Sequence, residues 1–205
     1  VGSEMCIRDS RKERKKIQSS EDQKYKPFPL TDIQTAYLLG RNQGYLYGGI
    51  GCKVYAEFLT EFTDEIIFRD AVKKLIERHE MLRVQFSKEG EQRFLPYIFN
   101  APVQIYDIRG WEKEKIKHKI LAKREEMQFK QYDPEKDILF DLCLFIHDNA
   151  SILCLSLDML IGDFVSIDLI ISDLEKLYNN QKMEKLTLNF RDYITVSYTH
   201  LRAHE

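Results

Sequence analysis

The stretch DMLIGDFVS, residues 158–166, decides how this chain folds. Before it stands ILCLSL, an unbroken apolar run of the length of a buried strand. After it stands IDLIISDLEKLY, whose apolar residues recur at the spacing of a helix packed on a core. The motif therefore turns a strand into a helix, and it gathers two carboxylates and a hydroxyl where rigid elements meet. Asp158, at the end of so apolar a strand, needs an explanation. An unpaired buried charge is too costly, so this carboxylate is either paired or hydrogen-bonded, or it faces a solvated channel.

Upstream, ILFDLCLFIHD and SILCLSLD predict an antiparallel pair joined by a short turn at residues 147–150. KVYAEFL alternates as a strand, with Val54, Ala56 and Phe58 on one face. DEIIFRDAVKKLIERHEML predicts an amphipathic helix whose buried stripe is Ile67, Phe68, Ala71, Val72, Leu75 and Ile76. Strands are expected at LRVQFS, QRFLPYI and VQIYDI. A long charged helix is expected at WEKEKIKHKILAKREEMQFKQ, and a short closing helix at FRDYI.

Nearer the start, Pro27 and Pro29 force an extended segment. Thr31 is then placed as an N-cap, with Gln34 completing a capping box. Ile33, Ala36, Tyr37 and Leu39 predict a short helix that ends at Gly40 as its C-cap. The glycines of GYLYGGIGC are too irregular for a phosphate cradle, and no GK[ST] follows. Strands alternating with long helices give an α/β class, an α+β sandwich in which a mixed sheet is covered by helices.

The 205 residues suffice for one or two domains with a real core, and 43% hydrophobic with 31% charged residues is ordinary for a soluble globular chain. A net charge of −2 argues against nucleic acid or an anionic membrane as partner. The basic run RKERKK lacks apolar periodicity, so residues 11–26 are expected to be a disordered linker. Neither a membrane span nor a secretory signal is evident. Cys143 and Cys154 lie in apolar runs and are expected to be core residues, a usage that suits a reducing cytoplasm. The histidines form no ligand set, and no metal site is expected. Both terminal decamers, residues 1–10 and 196–205, break the interior pattern and look like translated sequencing-adapter read-through, which leaves residues 27–195 as the meaningful unit.

Three motifs in register, FPLTDIQTAYLLGR (residues 28–41), RHEMLR (78–83) and DMLIGDFVS, together resemble the heterocyclization subtype of the condensation domains of nonribosomal peptide synthetases. Amide-forming condensation domains carry HHxxxDG at this junction, with the second histidine implicated in catalysis. Here Asp158 and Met159 stand in place of the two histidines, and a thioether accepts no proton at neutral pH. The heterocyclization pattern DxxxxDxxS is matched by Asp158, Asp163 and Ser166.

The resemblance implies a chloramphenicol acetyltransferase-like fold of two lobes around a tunnel, of which this chain supplies the N-terminal lobe. It implies condensation of a carrier-bound acyl thioester with a cysteinyl, seryl or threonyl thioester, then cyclodehydration to a thiazoline or oxazoline. No cofactor is implied beyond the phosphopantetheine of the carriers. The implied partners are acyl or peptidyl carrier domains, an adjacent adenylation domain and a C-terminal lobe, and the lobe alone is expected to be inactive. An amide-forming condensation domain and a non-catalytic relative that docks carriers are the alternatives.

Asp158, Asp163 and Ser166 are the catalytic candidates of the motif, although N-capping is the simplest role for Asp163, with Ser166 assisting. The resemblance pairs Asp163 with Arg83, and Arg78 heads the same RHEMLR motif. His79 is expected to cap a helix C-terminus. Thr31, Gln34, Tyr37 and Arg41 are candidates for the tunnel wall, with Tyr37 as core packing the plainer reading.

Overall fold

The computed structural model describes residues 23–41, 44 and 48–195. Along the chain run β1 (Phe28–Pro29), α1 (Asp32–Gly40), β2 (Lys53–Thr60) and α2 (Glu65–Arg78). A 3-10 turn, Glu80–Arg83, leads into β3 (Val84–Phe86), β4 (Glu91–Phe94) and β5 (Val103–Asp107). Then come α3 (Lys113–Phe129), β6 (Phe140–Ile146), β7 (Ser151–Asp158) and α4 (Phe164–Tyr178). Residues 190–195 are helical.

The main sheet has the order β2–β7–β6–β5. β7 is antiparallel to both β2 and β6, whereas β5 and β6 are parallel. Parallel neighbours need a crossover, and α3 supplies it. β6 and β7 are buried on both faces, which is why they read as nearly continuous apolar runs. On one face, Leu142, Leu144, Leu153 and Leu155 join Phe68, Val72 and Leu75 of α2 and Ile167, Ile170 and Leu174 of α4. On the other, Cys143, Phe145 and Cys154 meet Met127 of α3. Each such side chain removed from water contributes roughly 1.5–3 kcal/mol. Both cysteines are buried free thiols, and burial pushes the Cys143 thiol up to about 12. A second small sheet, β1–β4–β3, adds Phe28 and Phe94 to the main core, their rings 5.1 Å apart.

Several local expectations are corrected. α1 does not bury its apolar stripe: Ile33 is 69% and Leu39 52% exposed, while the residue it buries is Gln34. Polar bonds from Gln34 therefore join the partial packing of Tyr37 and Leu38 in holding this helix. It ends on Arg41 in right-handed conformation (φ −79°), so Gly40 is its last helical residue and not a left-handed cap. α2 stops at Arg78, because His79 turns extended (φ −100°, ψ 100°). Ile67 lies outside its buried stripe. Leu82 and Arg83 belong to the 3-10 turn, not to a strand. Residues 23–26 form a turn, with Lys24 paired to Glu80 at 2.5 Å. Residues 1–22 and 196–205, with the terminal read-through and most of the expected linker, lie outside the described residues.

Candidate functional site at the strand to helix junction

β7 delivers Asp158 to the end of the sheet, 1% exposed. Its carboxylate meets Arg41, whose Nη2 lies 2.5 Å from both oxygens. The backbone N–H of Leu160 donates to Oδ1 at 2.9 Å, closing the turn. Arg41 also donates to the carbonyl of Tyr132 at 3.3 Å. Gly51 lies under the guanidinium; a Cβ there would come within 2.6 Å of Arg41 Nη1. Lys53 is the cross-strand neighbour of Asp158. It donates to the carbonyls of Met127 and Lys130 at the C-terminal end of α3, a favourable place for a cation. Burial lowers the pKa of Lys53, opposed by the nearby Asp141 and Asp158 carboxylates.

Five residues on, Asp163 has the other environment. It is exposed and caps α4, Oδ1 accepting from the backbone N–H of Ser166 at 2.8 Å and from its hydroxyl at 2.7 Å. These bonds hold its carboxyl below the usual range. Gly162 is required by the close approach of the same residue: a Cβ there would sit 2.9 Å from Ser166 Cβ. Met159 is half-buried, and its N–H donates to the carbonyl of Cys52.

The Asp163–Arg83 pair implied by the resemblance does not form. Arg83 is buried and spends its donors on carbonyls: Ile76 and Glu77 at the end of α2, Leu95 and Pro96 after β4. A guanidinium can do this because its donors fan out in one plane, and it stitches the exit of α2 to β4. Arg78 and His79 instead share Asp173 of α4, at 3.0 and 2.9 Å from Oδ2. Burial pulls the His79 pKa down, which outweighs the raising effect of Asp173. Burial would raise Asp173, yet the combined bonds from Arg78 and His79 leave it below the usual range.

Thr31 caps α1, its hydroxyl accepting from the N–H of Gln34 while the Gln34 side chain accepts from the N–H of Thr31. The Gln34 side chain reaches further, donating to the carbonyl of Leu160 inside the motif at 2.9 Å. Tyr37 is half-buried against the main core. Thus Gln34, Arg41, Asp158, Asp163 and Ser166 come together around one turn, whereas Arg78, Arg83 and His79 brace the far end of α2. Asp173 and Gln92, which faces Gln34, were not evident from the sequence. Asp173 had a signal, a carboxylate interrupting the apolar stripe between Ile170 and Leu174.

A half-open cleft of about 660 Å³ is lined by Lys24, Arg78, His79, Met81 and residues 185–190, and it includes no residue of 158–166. Both carboxylates of the junction carry structural bonds. Asp158 is locked in an ion pair and a turn, Asp163 in a cap, and Met159 has no basic atom.

A mixed sheet clad in helices, with a polar strand-to-helix turn at its end, defines a lobe of the chloramphenicol acetyltransferase-like class. Residues 26–203 match the condensation-domain family, and the chain belongs to it. It is 35% identical over 173 residues to bacitracin synthase 1 of Bacillus licheniformis, covering 83% of this chain and 3% of that protein. It is 30% identical over 174 residues to the phenyloxazoline synthase MbtB of Mycobacterium tuberculosis, covering 83% of this chain and 12% of that protein. Among solved structures, the EpoB cyclization-docking bidomain of a nonribosomal peptide synthetase from Sorangium cellulosum matches with a TM-score of 0.77 and 27% identity, over 90% of this chain and 38% of that one. The chain thus spans a small part of its curated relatives. Among the described residues no helix is long and apolar enough to cross a membrane.

Proposed function

We propose that the chain is the N-terminal lobe of a heterocyclization domain, which joins a carrier-bound acyl thioester to a cysteinyl, seryl or threonyl thioester and cyclodehydrates the product. The observation that carries this reading is the junction itself. Asp158, Asp163 and Ser166 fit the heterocyclization pattern, and all three are committed to shaping the turn, with Met159 where amide-forming relatives have an imidazole. Two similar proteins support it by name, a phenyloxazoline synthase and a cyclization-docking bidomain.

On this reading the lobe contributes one wall of the reaction chamber. Its rate effect comes from holding two tethered reactants together, which removes much of the entropic barrier without any acid or base from the motif. Carrier domains bring the substrates on phosphopantetheine, and a second lobe closes the chamber. The test offers loaded donor and acceptor carriers to the lobe alone and to a domain completed by its second lobe, with products weighed by mass spectrometry. The completed domain yields the dehydrated ring and the lobe alone yields none. Amide that keeps its water, and never closes, would mark an amide-forming condensation domain instead. A ring made by the lobe alone would show that the second lobe is dispensable.

A further inference from the structure

Gln34 and Gln92 form a closed pair of amides: Gln34 Nε2 donates to Gln92 Oε1 at 3.0 Å, and Gln92 Nε2 returns a bond to Gln34 Oε1 at 2.8 Å. Both residues are buried, Gln92 at 1% exposure. The second N–H of Gln92 goes to the carbonyl of Pro29 at 3.0 Å, and the second N–H of Gln34 to the carbonyl of Leu160 at 2.9 Å. Gln34 Oε1 also accepts from the N–H of Thr31 at 3.0 Å. The Gln34 amide therefore uses both donors and both acceptor sites, leaving it one orientation. Seven residues separate Gln34 from Arg41, which puts both on one face of α1 and its cap. That face grips the turn twice, at the carboxylate of Asp158 and at the carbonyl of Leu160.

We infer that Gln34, oriented by Gln92, is a positioning residue: it fixes the Leu160 carbonyl and so sets where the Met159–Gly162 turn faces the reacting groups. The Arg41–Asp158 pair and the Met159 N–H bond to the carbonyl of Cys52 hold the start of the turn, and the bond from Gln34 to the Leu160 carbonyl fixes it further along. Burying a complete amide pair where apolar packing would serve is a costly way to fill space unless its orientation matters, since any lost partner leaves an unpaired polar group. The inference rests on the reading of the chain as part of a condensation domain, but not on ring formation.

The experiment therefore scores amide formation by the complete domain, so that a domain which never closes rings still tests it. Gln34→Met removes both the amide pair and the bond to Leu160, whereas Gln92→Met removes the pair and leaves Gln34 able to reach Leu160. At a temperature where circular dichroism shows both variants folded, kcat is expected to fall about tenfold or more in Gln34→Met, with KM for loaded carrier unchanged and a much smaller loss in Gln92→Met. In the 205-residue chain, the amide NMR signals of Met159–Gly162 should shift in Gln34→Met while those of α2 stay in place. If Gln34→Met fails to fold, Gln34→Glu serves: its buried carboxyl donates only when protonated, so its rate should recover toward low pH relative to the unmutated domain. Equal kcat in folded Gln34→Met and the unmutated domain, or a Gln34→Glu pH profile parallel to it, overturns the inference.

Discussion

Asp158 closes a strand that is buried on both faces, whereas Asp163 opens a helix at the surface of the same turn. The first carboxylate is held by a guanidinium 117 residues away in sequence, the second by a serine three residues away. Identical groups in one motif thus answer different physical demands. Burial forces Asp158 to recruit a full opposite charge, because water is absent to solvate it. Exposure lets Asp163 serve as a local cap whose loss water partly repairs. The motif is therefore two devices, a long-range latch and a short-range cap, and their stability effects should differ in size and in partner.

The largest effect should come from breaking the latch. Asp158→Asn strands the Arg41 guanidinium, and removing one partner of a buried pair costs about 3–5 kcal/mol. That is a large share of the ~5–15 kcal/mol available to a domain. Urea unfolding of the 205-residue chain measures it. Replacing both partners together, as Arg41→Met with Asp158→Leu, should recover most of the loss, since no charge then remains buried. A cost under about 1 kcal/mol for Asp158→Asn would mean the pair is solvated and the contrast with Asp163 is false.

Arg83 sharpens the comparison, being a buried cation answered by four carbonyls instead of a carboxylate. Arg83→Met leaves those acceptors without their donor and should cost about 2–4 kcal/mol by the same measurement. Arg83→Lys should recover little, because one ammonium cannot span the exit of α2 and the end of β4 at once. Full rescue by lysine would show that charge, not the planar fork, matters there.

Gly51 tests the latch from beneath. A methyl at Gly51→Ala pushes on the Arg41 guanidinium, and overpacking of this kind costs about 1–3 kcal/mol. Because the three atoms nearest that methyl all belong to the Arg41 guanidinium, most of the penalty should disappear in an Arg41→Met, Asp158→Leu background. A penalty that persists in that background would place its origin in the Gly51 backbone.

The same contrast explains what could be read from the sequence. β6, β7 and α4 were legible because burial imposes a repeating apolar pattern, and the Thr31–Gln34 box because capping is local. Fold class followed from those elements. The latch was not legible, since nothing near Asp158 names Arg41 as its partner. The buried side of α1 was legible only in part: Tyr37 packs on the core as read, whereas Ile33 and Leu39 are exposed and Gln34 and Arg41 carry the polar contacts. The Asp163–Arg83 pairing failed because Arg83 is drawn into the backbone exit of α2, nearer in space and richer in acceptors.

The smallest effect belongs to the cap. Asp163→Ala should cost about 1 kcal/mol, the usual loss for an N-cap side chain. Its sign with pH follows from the Ser166 bonds, which depress the carboxyl in the folded state. A depressed carboxyl gives stability that is present above its unfolded value, about 3.9, and is lost as pH falls through the folded one. The gap between the unmutated chain and Asp163→Asn, whose amide caps without a charge, should therefore be small at neutral pH and narrow as pH falls below about 4. Paired urea titrations at pH 7 and pH 3 read this directly. If the two titrations give the same gap, the ionised carboxylate contributes nothing beyond its hydrogen bonds, and Asp163 differs from Asp158 only in burial.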